Sequence, residues 1–237
     1  MEPSNTKGQL RLSLCLLTWN ELKGCQQDAP RLPLHAYEEV FAVDGGSTDG
    51  TVEYLESLGI PVYRQPVKGY NQAYLFAFSK CTTDALVLFH PKGTVDQQDI
   101  LKFRPLFEAG NDLVIASRNI EGSKNEEDDD WFRPRKWFVL CISFVTAVLW
   151  RRKGPIIWDV LHGFRGMRKD RFLAIEPLQE GLSIDIEMVA RCYRKRYRAV
   201  EFPTRESRRI AGETHFKAFR TGKLLLSYLW RELGRPA

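Results

Sequence analysis

The sequence predicts an α/β fold, a mostly parallel central sheet with helices on both faces, and three observations carry that prediction. Short apolar runs of β character recur through the first half of the chain. Stretches with apolar residues at three-to-four spacing lie between them. An Asp-Gly-Gly turn then joins one strand directly to a helix. Regular strand-helix alternation of this kind builds parallel sheets, because each crossover lays a helix on a sheet face.

In chain order, the predicted strands are Leu10 to Leu17, Val40 to Val43, Val62 to Tyr63, Ala85 to Phe89 and Leu113 to Ala116. The intervening helices are Thr51 to Leu58, Asn71 to Ser79 and Gln97 to Glu108. Past Arg118 the pattern changes to an acidic run, Glu126 to Asp130, of the kind that usually forms a solvated, mobile loop. Trp137 to Trp150 follows, almost wholly apolar and closed by Arg151-Arg152-Lys153. As a helix of about 1.5 Å per residue it is too short for a hydrocarbon layer of about 30 Å. It is either a buried helix or one lying in a membrane interface with its tryptophans at the boundary. From Phe216 onward, Phe216, Phe219, Leu224, Leu225, Tyr228 and Leu229 alternate with Lys217, Arg220, Lys223 and Arg231 as a basic amphipathic helix.

The turn Asp44-Gly45-Gly46-Ser47-Thr48-Asp49-Gly50-Thr51 is the most informative stretch. Two glycines able to take positive φ let the chain reverse, and Ser47, Thr48 and Asp49 can serve the N–H groups that open the next helix. Asp44 is thereby delivered at a strand's carboxyl end, the rim where open α/β sheets bind ligands. The same residues also make an ordinary capped turn with an exposed aspartate.

At 237 residues with 43% hydrophobic and 27% charged side chains, the chain can bury a full core, which excludes disordered and fibrous classes. Cys15, Cys25, Cys81, Cys141 and Cys192 are odd in number and form no Cys-x-x-Cys pair, so a disulfide frame or zinc site is not expected and a reducing, cytosolic setting is. Met1 to Gly8 lack the apolar core of a signal peptide. The net charge of +5 conceals a division: residues 1–132 carry 12 Lys/Arg against 20 Asp/Glu, and 133–237 carry 23 against 10. The second half therefore suits phosphorylated ligands or an anionic membrane surface. Nucleic acid is not expected, because no aromatic platform or recognition-helix pattern accompanies the basic residues.

Read in order, the motifs resemble those of the family 2 glycosyltransferases. Thr18-Trp19-Asn20-Glu21 is similar to the family's T-Y-N-E opening, and the Asp44 turn to its D-D-G-S-T-D-G-T, with Gly45 at the second aspartate. Lys68-Gly69 resembles its G-K-G segment, and Leu113 to Arg118 its V-I-G-S-R strand. His162-Gly163-Phe164-Arg165 resembles S-G-F-R, Ser183 to Met188 resembles F-x-I-E-I-E-M, and Arg209 to His215 resembles R-x-x-G-E-S-K. The last three point to the branch that includes dolichyl-phosphate mannosyltransferases and polyprenyl-phosphate sugar transferases.

The resemblance implies a Rossmann-like GT-A fold over residues 10–215, after a flexible 1–9: a nucleotide-binding half of about 10–118, an acceptor half of about 131–215, and the amphipathic helix 216–237. It implies transfer of a sugar, with inversion, from a nucleotide-diphosphate sugar to a membrane-associated acceptor, a polyprenyl phosphate or glycolipid, by a cytoplasmic protein peripheral to the inner membrane face. Thr18, Asn20, Glu21, Asp44, Ser47, Lys68, Gly69, His90 and Arg118 are the expected nucleotide-sugar contacts, and Arg165, Arg209 and His215 the expected phosphate or acceptor contacts. Asp185, then Glu187, is the expected base for a hydroxyl acceptor. One position departs from the pattern. Where the family holds Mg²⁺ or Mn²⁺ with D-x-D, this chain reads His90-Pro91-Lys92. Oxygen ligands for a hard cation are missing there, and Lys92 would repel a metal held by His90. Either Lys92 supplies the positive charge itself and no metal is required, or catalysis has lapsed and a nucleotide- or lipid-binding module remains.

Overall fold

The computed structural model describes residues 10–208 and 218–235. Its strands are β1 (Leu12–Thr18), β2 (Glu39–Asp44), β3 (Val62–Arg64), β4 (Ala85–Phe89), β5 (Leu113–Ser117), β6 (Arg165–Arg168) and β7 (Ala199–Pro203). Its helices are α1 (Leu22–Asp28), α2 (Thr51–Ser57), α3 (Tyr70–Lys80), α4 (Phe103–Glu108), α5 (Pro134–Trp150), α6 (Lys169–Ala174), α7 (Ile184–Lys195) and α8 (Ala218–Leu233). The expected helix 97–108 is two pieces, a 3₁₀ turn Gln97–Lys102 running into α4.

All seven strands form one sheet in the order β3-β2-β1-β4-β6-β5-β7. Alternate residues of the central strands bury on opposite faces. Leu12, Leu14 and Leu16 join Leu55, Ile100, Phe103 and Phe107 on one side. Cys15 and Leu17 join Tyr74, Phe78, Ile142, Ile186 and Val189 on the other. Burial on both faces is why these strands read as mostly apolar runs.

The pairings are parallel except at β6, which runs antiparallel between β4 and β5. This reversal assembles the site. Arg165 at the start of β6 pairs with Leu88 and Ile115, near the ends of β4 and β5. Segment 162–165 therefore joins the carboxyl ends of the parallel strands. Ser117 pairs with Pro203 at the end of β7, which adds 204–206 to the same rim.

The acidic run is a loop, as expected, but an ion-paired and only partly solvated one. Glu126 pairs with Arg135, Asp128 with Arg133 and Lys136, Asp129 with Lys124, and Asp130 with Arg208. Glu127 is buried and accepts from Arg135 Nε at 2.7 Å and the Lys136 amide at 3.0 Å. The apolar helix α5 is neither wholly buried nor wholly exposed. Val139, Ile142, Thr146 and Trp150 pack inward while Trp137, Phe144 and Val148 face outward. Among the described residues no helix is long and apolar enough to cross a membrane. All five cysteines are unpaired, and only Cys141 is exposed.

Candidate active site

A cleft of about 1290 Å³ opens along the carboxyl rim of the sheet. It is lined by Thr18, Trp19, Glu21, Gly45, Lys68 and Gly69 around the Asp44 turn, by His90, Lys92, Arg118, His162 and Asp185, and by Arg135, Lys136, Phe138 and Val139 of α5 with Lys223, Leu225 and Leu226 of α8.

The Asp44 turn is tied to the β1 end by reciprocal hydrogen bonds. The Asp44 carboxylate is fully buried and accepts from the Gly46 and Ser47 amides, both at 2.8 Å, from Thr18 Oγ1 at 3.3 Å and from the Ser47 hydroxyl. The Asn20 amide donates to Ser47 Oγ at 2.8 Å while Asn20 Oδ1 accepts from the Thr48 amide at 2.9 Å. Asp44 and Ser47 are thus buried behind the cleft wall and Asn20 is exposed outside it, whereas Thr18, Glu21, Lys68 and Gly69 line it. Only one of the two adjacent glycines takes positive φ, Gly46 at 97°. Gly45 is needed for space, since a Cβ there would sit 3.3 Å from Cβ of Trp19. At the start of α2 Asp49 accepts from the Thr51 amide at 3.1 Å, as expected of a residue serving the helix's first N–H groups, while Gly50, at φ 92°, occupies the capping position itself.

The loop carrying His90 and Lys92 is anchored from α1. A Cβ on Gly24 would lie 2.1 Å from the Pro91 carbonyl oxygen, so the two backbones touch. Buried Asp28 accepts from the Gly93 amide at 2.8 Å and from Gln97 Nε2 at 2.6 Å. His90 lies against Tyr70, their ring centroids 6.2 Å apart, and Gly163 leaves room for it, because a Cβ there would be 2.6 Å from His90 Nε2.

Asp185 faces this group from the first turn of α7. It accepts from the Tyr70 and Tyr74 hydroxyls, each at 2.8 Å, and pairs with Arg165 Nε at 3.2 Å. Tyr70 and Tyr74 were not expected in the site. Their i, i+4 spacing on α3 puts them on one face, but their partner lies more than 110 residues away.

Two arginines expected on phosphate are committed elsewhere. Arg165 is fully buried and donates to the carbonyls of His162 at 2.8 Å, Asp185 at 2.6 Å and Val160 at 3.0 Å. It clamps the site from behind, because a buried guanidinium needs its fork of donors filled by protein acceptors. Arg118 lines the cleft, but it forks onto Asp159 at 2.8 and 2.9 Å and meets Glu206 at 2.8 Å. Burial opposes ionisation of Glu206, yet Arg118 above all, with His162 and Lys92, holds its carboxyl down to about 2. Burial, assisted by Arg118, lowers His162, whose Nδ1 lies 2.5 Å from the Ala116 carbonyl. Beneath this cluster Glu201 accepts from the Trp158 and Asp159 amides at 2.8 Å, and burial pushes its carboxyl up to about 7.

Glu187 does not line the cleft. It is fully buried, pairs with Arg191 at 2.5 Å and accepts from the Leu178 amide at 2.9 Å, and burial raises its carboxyl above the usual range. Its position in the first turn of α7, two residues after Asp185, turns it away from the cleft. Arg209 and His215 lie outside the described residues.

The donors at the D-x-D position do not fit a hard divalent cation. His90 offers one nitrogen, Lys92 a like charge, and among the described residues no group of three or more His, Cys, Asp or Glu could hold a metal.

Residues 19–173 match the family described as Glycosyl transferase family 2. The chain is 26% identical over 229 residues to glycosyltransferase AglJ of Haloferax volcanii, spanning 92% of this chain and 71% of that protein. It is also 26% identical over 232 residues to dolichol-phosphate mannosyltransferase of Pyrococcus furiosus, spanning 93% of this chain and 62% of that one. Among solved structures, glucosyl-3-phosphoglycerate synthase of Mycobacterium tuberculosis with Mn²⁺, UDP and phosphoglyceric acid superposes with a TM-score of 0.73 at 16% identity, covering 96% of this chain and 80% of that one. A second structure of that synthase, with Mn²⁺, UDP-glucose and phosphoglyceric acid, gives 0.71 at 15% identity, covering 96% and 81%. With more than half its length matched and its mixed sheet shared with these structures, the chain belongs to glycosyl transferase family 2 and has the GT-A fold.

Proposed function

We propose that the protein transfers a sugar, with inversion, from a nucleotide-diphosphate sugar to a lipid phosphate, with Lys92 serving where relatives of this fold use a divalent metal. The observation that carries this reading is the composition of the cleft's lining. Lys68, beside Gly46 of the Asp44 turn, and Lys92 line the same cleft as the apolar Phe138, Val139, Leu225 and Leu226 of α5 and α8. A polar, diphosphate-bearing donor suits the cationic side chains and a hydrocarbon chain the apolar ones. The dolichol-phosphate mannosyltransferase name of the Pyrococcus relative supports the same acceptor chemistry.

In this mechanism the laced turn of Thr18, Asn20, Asp44 and Ser47 shapes the nucleoside pocket, Glu21 and Gly69 line it, and Lys68 meets the diphosphate. The acceptor phosphate is already an anion and attacks the anomeric carbon from the side opposite the leaving group. A new carbon–oxygen bond forms as the bond to the diphosphate breaks, and the negative charge appearing on the nucleoside diphosphate is met by the Lys92 ammonium. A fixed cation aimed at charge that develops in the transition state lowers the barrier without having to reorganise. No general base is required. Asp185 agrees with this economy, since two tyrosine hydroxyls and Arg165 already occupy most of its roughly four acceptor positions. A sugar hydroxyl acceptor, as in a glycolipid, would instead need Asp185 as base.

A second reading, a catalytically lapsed nucleotide- or lipid-binding protein, is favoured by Glu206, whose carboxylate stands in the cleft and draws on both Arg118 and Lys92. Incubation of the purified protein with a panel of nucleotide sugars and detergent-dispersed polyprenyl phosphate separates the two. Formation of a lipid-linked sugar with release of nucleoside diphosphate supports transfer. Binding of the nucleotide with no transfer or hydrolysis for any donor overturns it in favour of the lapsed module.

A further inference from the structure

We infer that the outward faces of α5 and α8 together form the surface by which the protein seats on an anionic bilayer, lying in the headgroup layer rather than crossing it. On α5, Trp137, Phe144 and Val148 are exposed at i, i+7 and i+11, one stripe of the helix, with Phe144 53% and Val148 63% exposed. On α8, Leu226, Trp230 and Leu233 are exposed at i, i+4 and i+7, with Trp230 79% exposed. The two helices meet where a Cβ on Gly222 would lie 3.6 Å from the Phe138 ring. In water such stripes are an uncompensated cost, and six large apolar side chains at helical spacing are not the scattered exposure an ordinary surface tolerates.

Charge selects the occupant. The sequence of α5 contains no acidic residue, and the one acidic residue of α8, Glu232, is buried against Arg191 at 3.1 Å. Neither helix therefore shows a carboxylate to solvent. Arg151, Arg152 and Lys153 stand exposed directly after α5, and the nearby acidic run is neutralised by its own ion pairs. A second copy docked through this face would set like basic clusters against each other in a two-fold interface, whereas anionic headgroups complement them. Tryptophan at the rim and a buried depth of about 5–10 Å are the features of an interfacial helix. Leu226 also lines the cleft, so this seat would set the cleft's apolar α5 and α8 side chains beside the lipid.

This inference takes its purpose from the transferase reading, but its test uses neither donor nor acceptor, so the two fail separately. The full chain is floated with vesicles of phosphatidylcholine alone or mixed with phosphatidylglycerol. Wild type is expected to float with the anionic vesicles and to be released progressively by salt. Neutralising Arg151, Arg152 and Lys153 to Gln should lower partitioning on the order of a hundredfold. Phe144→Glu with Trp230→Glu should leave the protein in the soluble fraction at an unchanged melting temperature. Wild type that stays soluble with anionic vesicles, or a folded double variant that floats as well as wild type, overturns the inference. So does a vesicle-free dimer that the double variant converts to monomer, which would assign the face to a second copy.

Discussion

Gly24 of α1 touches the backbone of Pro91: a Cβ at Gly24 would lie 2.1 Å from the Pro91 carbonyl oxygen and 2.9 Å from Cα of Lys92. A helix glycine normally costs about 1 kcal/mol relative to alanine, so retaining one here reflects contact rather than helix preference. Because the obstructing atoms are backbone, Gly24→Ala must push the Lys92 loop away from α1. The expected outcome is a loss of transfer of at least about tenfold and a net destabilisation of about 1–3 kcal/mol from overpacking, read by steady-state turnover and urea unfolding. A Gly24→Ala protein with wild-type turnover would mean that Lys92 does not need its present position.

Arg165 tests whether the clamp behind the cleft is structural. Its replacement by Met removes the cationic partner of the Asp185 carboxylate, which keeps only the Tyr70 and Tyr74 hydroxyls, and the guanidinium donors to three carbonyls. Breaking a buried pair in this way costs about 3–5 kcal/mol, so the loss should appear in the unfolding free energy of ligand-free protein. A donor-contacting arginine would behave differently, raising the donor KM while leaving unfolding untouched.

Acid should weaken the fold through Glu206. Its carboxyl is held down to about 2, against about 4.3 in an unfolded chain. The depressed value stabilises the fold fully above the unfolded pKa, and that contribution drains away as pH falls through the window from about 4.3 toward 2. Glu206→Gln removes it, so the stability difference between wild type and variant should hold from pH 6 to about 5 and shrink as pH is lowered from about 5 to 3 in urea titrations. A difference that is constant over this range would contradict the assigned ion pairing.

The sheet was legible where it is buried on both faces, because β1, β2, β4 and β5 are mostly apolar, with polar residues confined to Ser13 and to strand ends such as Glu39, Asp44 and Ser117. β6 was not, since its four residues are Arg165-Gly166-Met167-Arg168, with Arg165 absorbed by the carbonyls of Val160 and His162 just before it and Arg168 by those of Phe107 and Asn111 about 60 residues upstream. β7 was obscured in the same way by Glu201, which serves two amides some 40 residues upstream. In the site, motif order identified the cleft-lining Thr18, Glu21, Lys68, His90, Lys92 and Asp185. It could not separate arginines facing a ligand from arginines facing the protein. Arg118 finds Asp159 and Glu206 at sequence separations of 41 and 88, and such pairings leave no trace in local pattern.

The central claim, that Lys92 supplies the charge a metal supplies in relatives of this fold, is tested most directly by donor turnover in EDTA-treated wild type and Lys92→Met. The account predicts turnover unchanged by EDTA and a loss on the order of a hundred- to a thousandfold in Lys92→Met, the scale on which removing one preorganised electrostatic group acts. Turnover abolished by EDTA and restored by Mn²⁺, with Lys92→Met as active as wild type, would contradict it.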